Sequence, residues 1–221
     1  MAAETSSSRT QGGSRPRRRG PVAVLTETAV LVVIAVVLAA LIKAFLVQAF
    51  YVPSQSMAPT LAPNDRILVE KPSYWAGDPD HGDIVVFADP GGWLGQLPEQ
   101  TTAQKALSAI GLLPTGGHLV KRVIATGGET IACCDPDGRL LRDGVPVDEP
   151  YLPAGTRPSA IEFRATVPEG YLWVMGDNRS DSEDSRFHQD DPGQGFVPVD
   201  SVVGNTFVIV WPVKRWDWLG F

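Results

Sequence analysis

Tyr51-Val-Pro-Ser-Gln-Ser-Met-Ala-Pro-Thr-Leu61 stands just beyond the end of a long apolar run and just ahead of a series of short alternating segments. Pro53 and Pro59 fix φ and lack an N–H, so the segment reads as a rigid, irregular edge and not as a central strand. Two serines two apart lie on that edge. A serine hydroxyl is a weak nucleophile at neutral pH. It needs a base to take its proton and fixed donors to hold the oxyanion that forms. Ser56 is the candidate nucleophile and Ser54 a candidate donor. Serine beside proline also marks ordinary turns, so the segment carries chemistry only if the rest of the chain supplies a base.

Upstream, Thr28 to Ile42 carries no charge, and apolar character resumes after Lys43 through Phe50. A helix over residues 28–47 would span roughly 30 Å, the thickness of a hydrocarbon core. Lys43 can snorkel to the interface, and Glu27 lies just outside. Residues 1–21, rich in Ser, Gly and Arg, read as a disordered tail. Its five arginines against Glu4 give +4, and with −6 for the whole chain −10 remains for the rest, which argues against nucleic-acid binding by the main body. Arginines ahead of an apolar span predict a cytoplasmic amino terminus and an extracytoplasmic remainder. A cleaved secretory signal is the competing reading, with Val47-Gln48-Ala49 as its small-residue site. The apolar block exceeds an h-region of about 15 residues, and Lys43 would fall between block and site, which favours a retained anchor over residues 22–50.

The chain has 221 residues, 43% hydrophobic and 20% charged, enough to bury a real core. Its 22 glycines and 19 prolines, scattered widely, predict many short strands joined by turns. Asp65–Lys71 alternates as a strand, His81-Gly82-Asp83 is a turn, and Ile84–Phe87 is a buried strand. Residues 88–118 interrupt the rhythm as a surface insert, with a short helix expected between Glu99 and Leu113 and a membrane-facing reading open for Trp93 and Leu94. Then His118-Leu-Val-Lys-Arg-Val-Ile-Ala-Thr126 places Lys121 inside an apolar strand. Such a lysine either turns outward into solvent, the commoner fate, or turns inward and is pushed toward its neutral form. Inward beside Ser56 it would be a general base.

Residues 131–170 read as a separate small β unit, with Asp137-Gly138 and Asp143-Gly144 as hairpin turns. Cys133 and Cys134 can pair with each other only as a vicinal bridge, and no nearby histidine completes a metal ligand set. Tyr171–Met175 then runs into Gly-Asp-Asn-Arg-Ser-Asp-Ser-Glu-Asp-Ser-Arg186, an apolar strand feeding a dense polar loop. A solvated acidic loop is one reading; an ordered ion-pair network whose serine hydrogen-bonds an amine is the other. Val202–Val210 closes the chain as a strand, and the tryptophans and cations of residues 211–218 suit a membrane interface or local packing.

Taken together and in order, the anchor, Pro-Ser-x-Ser-Met-x-Pro-Thr-Leu, Asp-Arg-Ile-Leu-Val-x-Lys, Gly-Asp-Ile-Val-Val-Phe, Lys-Arg-Val-Ile and Gly-Asp-Asn-Arg-x-x-Ser-x-Asp-Ser-Arg resemble the bacterial type I signal peptidases. The resemblance covers residues 28 to about 211. It implies a mainly β fold: a single transmembrane helix followed by an extracytoplasmic antiparallel β-sheet catalytic domain with an inserted smaller β subdomain. Residues 51–130 and 171–221 would form the two parts of the core, and 131–170 the insertion. The activity implied is removal of signal peptides from exported preproteins at a membrane, with no cofactor, no metal and no catalytic histidine. Box by box, Ser56 matches the nucleophile, Lys121 the general base, Ser54 the oxyanion donor and Ser182 the serine that orients the lysine. Arg122, Asp177, Asp184 and Arg186 match residues that brace the site. Val52, Met57, Leu61, Leu119 and Val120 match the pocket lining for small side chains at the first and third positions before the cut. The insert, the cysteine pair and the tryptophan-rich end depart from the family's fixed features and receive no role from it. Self-cleaving repressors share a serine–lysine dyad but lack an anchor; a serine–histidine enzyme would need His81, His118 or His188; a non-cutting peptide-binding domain is the third rival.

Overall fold

The computed structural model describes residues 21–74, 77–95, 101 and 116–219. The basic tail, and the helix expected between Glu99 and Leu113 apart from Thr101, lie outside the described residues. Helix α1 spans Pro21–Phe45, and its stretch Leu25–Ile42 is long and apolar enough to cross a membrane. Proline suits a first helical position, where its missing N–H has no partner to lose. The helix stops short of the expected Val47, because Val47–Tyr51 forms strand β1 and pairs residue for residue with β2, Arg66–Glu70. Val, Phe and Tyr fit a half-buried pleated surface, and Phe50 is buried there; the anchor expected over 22–50 is therefore helical only to Phe45.

The remaining strands are β3 (Ile84–Ala88), β4 (His118–Thr126), β5 (Thr130–Cys133), β6 (Leu140–Arg142), β7 (Val145–Pro146), β8 (Phe163–Thr166), β9 (Tyr171–Met175), β10 (Val197–Pro198), β11 (Val202–Trp211) and β12 (Asp217–Trp218). An eight-stranded sheet has the order β1-β2-β11-β3-β4-β9-β10, with β12 on β11, and every pair in it is antiparallel. A second sheet has the order β7-β6-β5-β8. Asp143 and Gly144 join β6 to β7 with φ of 51° and 81°, the left-handed pair that a tight hairpin requires. Cys133, at the end of β5, is disulfide-bonded to Cys134.

Period-2 alternation assigns β3 to two cores at once. Ile84 and Val86 join Phe50, Val52, Met57, Leu61 and Ile67 on one face of the large sheet. Val85 and Phe87 join Val123, Leu172, Val174 and Trp93 on the other. A third cluster, including Ile124, Ile131, Leu140, Phe163 and Trp173, ties β4 and β9 to the second sheet. Trp93 is thus a core residue, not a membrane-facing one: it is 8% exposed, stands edge-on to Phe87 and stacks on His188 at 4.3 Å. The Asp89 carboxylate makes this possible by accepting the N–H groups of Gly91, Gly92, Trp93 and Leu94, folding the start of the insert back on the sheet.

One feature of strand register shapes the site. Strand β3 pairs with β4 from His118 to Arg122, whereas β9 pairs with the other edge only from Arg122 onward. Among the described residues, no strand covers that second edge from His118 to Lys121.

Candidate active site

Val52 leaves the sheet after β1, and Asn64 and Asp65 close the loop by backbone bonds with Val52. The loop between them is irregular, as Pro53, Pro59 and Pro63 require. Ser56 is half-buried in it, and the Ser54 hydroxyl lies 3.2 Å from the Ser56 hydroxyl. The loop after β9 grips it from the side: Asn178 donates its backbone N–H to the Ser56 carbonyl at 3.0 Å and its side-chain amide to the Gln55 carbonyl at 3.2 Å.

Lys121 sits in β4 opposite Val85 and is 3% exposed. Its Nζ donates to Ser182 Oγ at 3.0 Å, and Ser182 donates to Asp184 Oδ2 at 2.8 Å. Burial pushes the lysine pKa down to about 8; Asp184 pulls it up, and Arg186 pushes it down again. Ser56, Ser54 and Lys121 line one cleft of about 300 Å³.

Asp177, Arg179, Asp184 and Arg186 of the polar loop form an ordered network, as one of the two sequence readings expects, while Asp181 and Glu183 are exposed. Asp177 accepts Arg122 Nε at 2.8 Å and Nη2 at 2.6 Å, and also the Thr60 hydroxyl at 2.6 Å. One buried carboxylate thereby joins β4, the serine loop and the loop after β9. Asp184 accepts Arg186 through Nε and Nη2 at 2.8 Å each, together with the Gly176 N–H at 3.0 Å. Both carboxylates are buried with their partners, so removing either side would strand a charge at a cost of about 3–5 kcal/mol.

Of the pocket residues read from sequence, Val52, Leu119 and Val120 line the cleft. Met57 and Leu61 do not; they are fully buried in the core cluster that they share with Val52, Ile67 and Val86. Phe50, Ile67, Val86, Trp93, Leu94 and His118 line the cleft without having been singled out for it. Their signal lies in strand register and in the fold of the insert, neither of which a linear motif carries. Two further supports escaped the sequence. Glu149, from the loop after β7, pairs with Arg179, whose Nε bonds the Gly176 carbonyl. Gly176 itself has no room for a side chain: a Cβ there would meet Ser182 Oγ and the Ser56 carbonyl oxygen.

Residues 25–211 match the family model described as signal peptidase, peptidase S26. The signal peptidase I of Mycobacterium tuberculosis is 44% identical, covering 91% of this chain and 76% of the relative. The probable signal peptidase I of Mycobacterium leprae is 38% identical, covering 98% of this chain and 86% of the relative. A crystal structure of a signal peptidase I from Enterococcus faecalis V583 is 27% identical and aligns over 58% of this chain and 97% of that one, with a TM-score of 0.39. The chain belongs to the signal peptidase family, peptidase S26, and is a serine endopeptidase.

Proposed function

We propose that this enzyme removes signal peptides from exported preproteins by a Ser56–Lys121 dyad, cutting after small residues at the first and third positions before the bond. The observation that carries the reading is a buried lysine, its amine hydrogen-bonded to Ser182, in the wall of the cleft that Ser56 also lines. Neutral Lys121 takes the Ser56 proton as the hydroxyl attacks the carbonyl, then gives it to the departing amine. Water activated by the same amine clears the acyl-enzyme. The Ser54 hydroxyl and the Ser56 N–H hold the oxyanion. Arg122, Asp177, Asp184 and Arg186 keep serine loop, lysine strand and Ser182 in register.

The preprotein lies extended along the open edge of β4, adding a strand whose alternate side chains enter the cleft. Val52, Leu119 and Val120 supply shallow apolar walls that admit small side chains, with Met57 and Leu61 packed beneath. α1 is retained as the anchor, with the amino terminus cytoplasmic and the β domain on the outer face of the cell membrane. The apolar stretch Leu25–Ile42 and the arginines ahead of it support this arrangement.

A histidine base is the second reading, because His118 lines the same cleft. Its Nδ1 has no hydrogen-bond partner to orient it, which favours the lysine. The test is incubation of the purified chain in detergent with a preprotein, with the cut located by mass spectrometry. Cleavage after an Ala-x-Ala-like site by the wild type, lost in Ser56→Ala and kept in His118→Ala, is the expected result. Processing by Ser56→Ala, or loss in His118→Ala, would overturn the dyad.

A further inference from the structure

The cleft extends past the dyad to an end walled by Phe50, Trp93, Leu94 and His118. We propose that this end is a subsite for a bulky apolar side chain of the preprotein, upstream of the third residue before the cut. The proposal rests on the reading of the cleft as the preprotein site. Strand register gives the position. His118 opens β4, opposite Ala88 at the end of β3, and the Asp89 N–H bonds the Gly117 carbonyl at 2.9 Å, so the turn Asp89–Leu94 begins at that end of the strand. Lys121 lies three residues along, about 10 Å away in a strand. A chain added to this edge covers the same length with the same number of residues. With its reacting carbonyl at Ser56, its fourth residue before the cut arrives beside His118, and the fifth, whose side chain shares the cleft face with the first and third, arrives at the turn that carries Leu94.

The walls are held in place. Four backbone N–H groups on the Asp89 carboxylate fix the turn. Trp93 is clamped between Phe87 and the His188 ring, and His188 is fixed in turn by Asp191 at 2.7 Å. Leu94, next in the chain, is 36% exposed and meets the cleft. Phe50 packs on the His118 ring at 5.4 Å and closes the opposite side. Asp181 and Glu183, the carboxylates lining the cleft, flank Ser182 at the Lys121 end. Among the described residues a charged side chain at the far end would have only the His118 ring as a polar neighbour and would be desolvated with no opposite full charge beside it, whereas a leucine or phenylalanine would bury apolar surface against rigid walls. This gives the start of the insert, residues 89–94, a part in choosing substrates.

The test uses the full chain in detergent and preproteins identical except for Leu, Gly or Glu at the fifth position before the cut, read as kcat/KM for each. Wild type is expected to prefer Leu over Gly by about tenfold and to cut the Glu preprotein least. Leu94→Arg should reverse the order of Leu and Glu, a change that mere loosening of the fold does not produce. Leu94→Ala, the milder variant, should shrink the Leu:Gly ratio several-fold. Equal rates on all three preproteins with wild type, or an unchanged Leu:Gly ratio in Leu94→Ala, would overturn the subsite while leaving the peptidase intact. Failure of wild type to cut any of them would overturn the parent reading instead.

Discussion

Lys121 Nζ donates to Ser182 Oγ at 3.0 Å, and the direction of that bond is fixed by its neighbour, because the single Ser182 proton is spent on Asp184. A neutral amine held this way uses an N–H on Ser182 and keeps its lone pair for another proton. On the proposed mechanism that proton comes from Ser56. Ser182→Ala is therefore expected to lower kcat about a hundredfold, with KM little changed. Asp184 retains Arg186 and the Gly176 N–H in this variant, so the fold should hold. Steady-state kinetics beside a thermal melt separates the two effects; wild-type kcat in Ser182→Ala would remove this serine from the mechanism.

Gly176 lies against both the lysine's partner and the nucleophile's backbone. A Cβ there meets Ser182 Oγ and the Ser56 carbonyl oxygen together. Gly176→Ala should push them apart, and a displacement near 1 Å costs about a hundredfold in rate. Gly193→Ala is the control, since its Cβ would meet nothing nearer than 3.7 Å. Preprotein cleavage by the two variants at equal folded concentration is the measurement. Equal activity would show that the site tolerates the shift.

How much of this was legible in the chain depends on how far apart the cooperating residues lie. The strands announced themselves locally: Asp65–Lys71 by alternation and Ile84–Phe87 by an apolar run, and both form where expected. The end of α1 was misjudged because Val47–Phe50 is as apolar as the helix before it. Only pairing with β2, about 20 residues downstream, makes it a strand. Trp93 misled for a similar reason. A lone tryptophan in a loop reads as exposed, and its stacking partner His188 is distant in sequence. Lys121 was visible as a cation within an apolar strand, yet which way it pointed was not, since strand alternation assigns faces without saying which face is buried. Met57 and Leu61 show the limit of motif matching, which locates residues along a box without distinguishing the lining of a cleft from the core beneath it.

The cysteine pair offers a negative test. Cys133 and Cys134 lie at the end of β5 in the second sheet, and Cys133 packs against the cluster around Trp173. Neither lines the cleft. Replacing both with serine should leave kcat on a preprotein within about twofold, while a modest loss of thermal stability is expected from the half-buried Cys133. A large loss of kcat in the double variant, with the melt unchanged, would place the pair in the chemistry.

The proposed orientation across the membrane rests on charge. With α1 retained and the arginines of residues 9–19 inside, protease added to intact spheroplasts should digest the β domain and spare an amino-terminal tag. The reverse digestion pattern would place the cleft on the cytoplasmic side, away from exported chains.

The pH dependence of Lys121 tests the mechanism and its energetic cost at once. Burial holds its pKa at about 8 against an ordinary 10.5. About one-eleventh of the enzyme is then in the neutral, reactive form at pH 7 and about ten-elevenths at pH 9, so single-turnover cleavage should rise roughly tenfold across that interval. Stability follows the same proton. Between pH 8 and 10.5 the unfolded chain holds the lysine proton that the folded chain has released, so this residue makes stability climb with pH through that window; below pH 8 the full penalty, about 3 kcal/mol, is present. Lys121→Met should consequently be inactive and yet more stable than wild type at pH 7, by somewhere between about 1 and 3 kcal/mol once the lost Ser182 bond is counted. Lys121→Arg keeps a charge that does not come off, so it should be inactive with no gain in stability. Denaturant melts at pH 7 and pH 10 for the three proteins, beside their cleavage rates, make the comparison. An active Lys121→Arg would mean that the amine is not the base, and a Lys121→Met less stable than wild type at pH 7 would mean that it is not the strained charge that its burial implies.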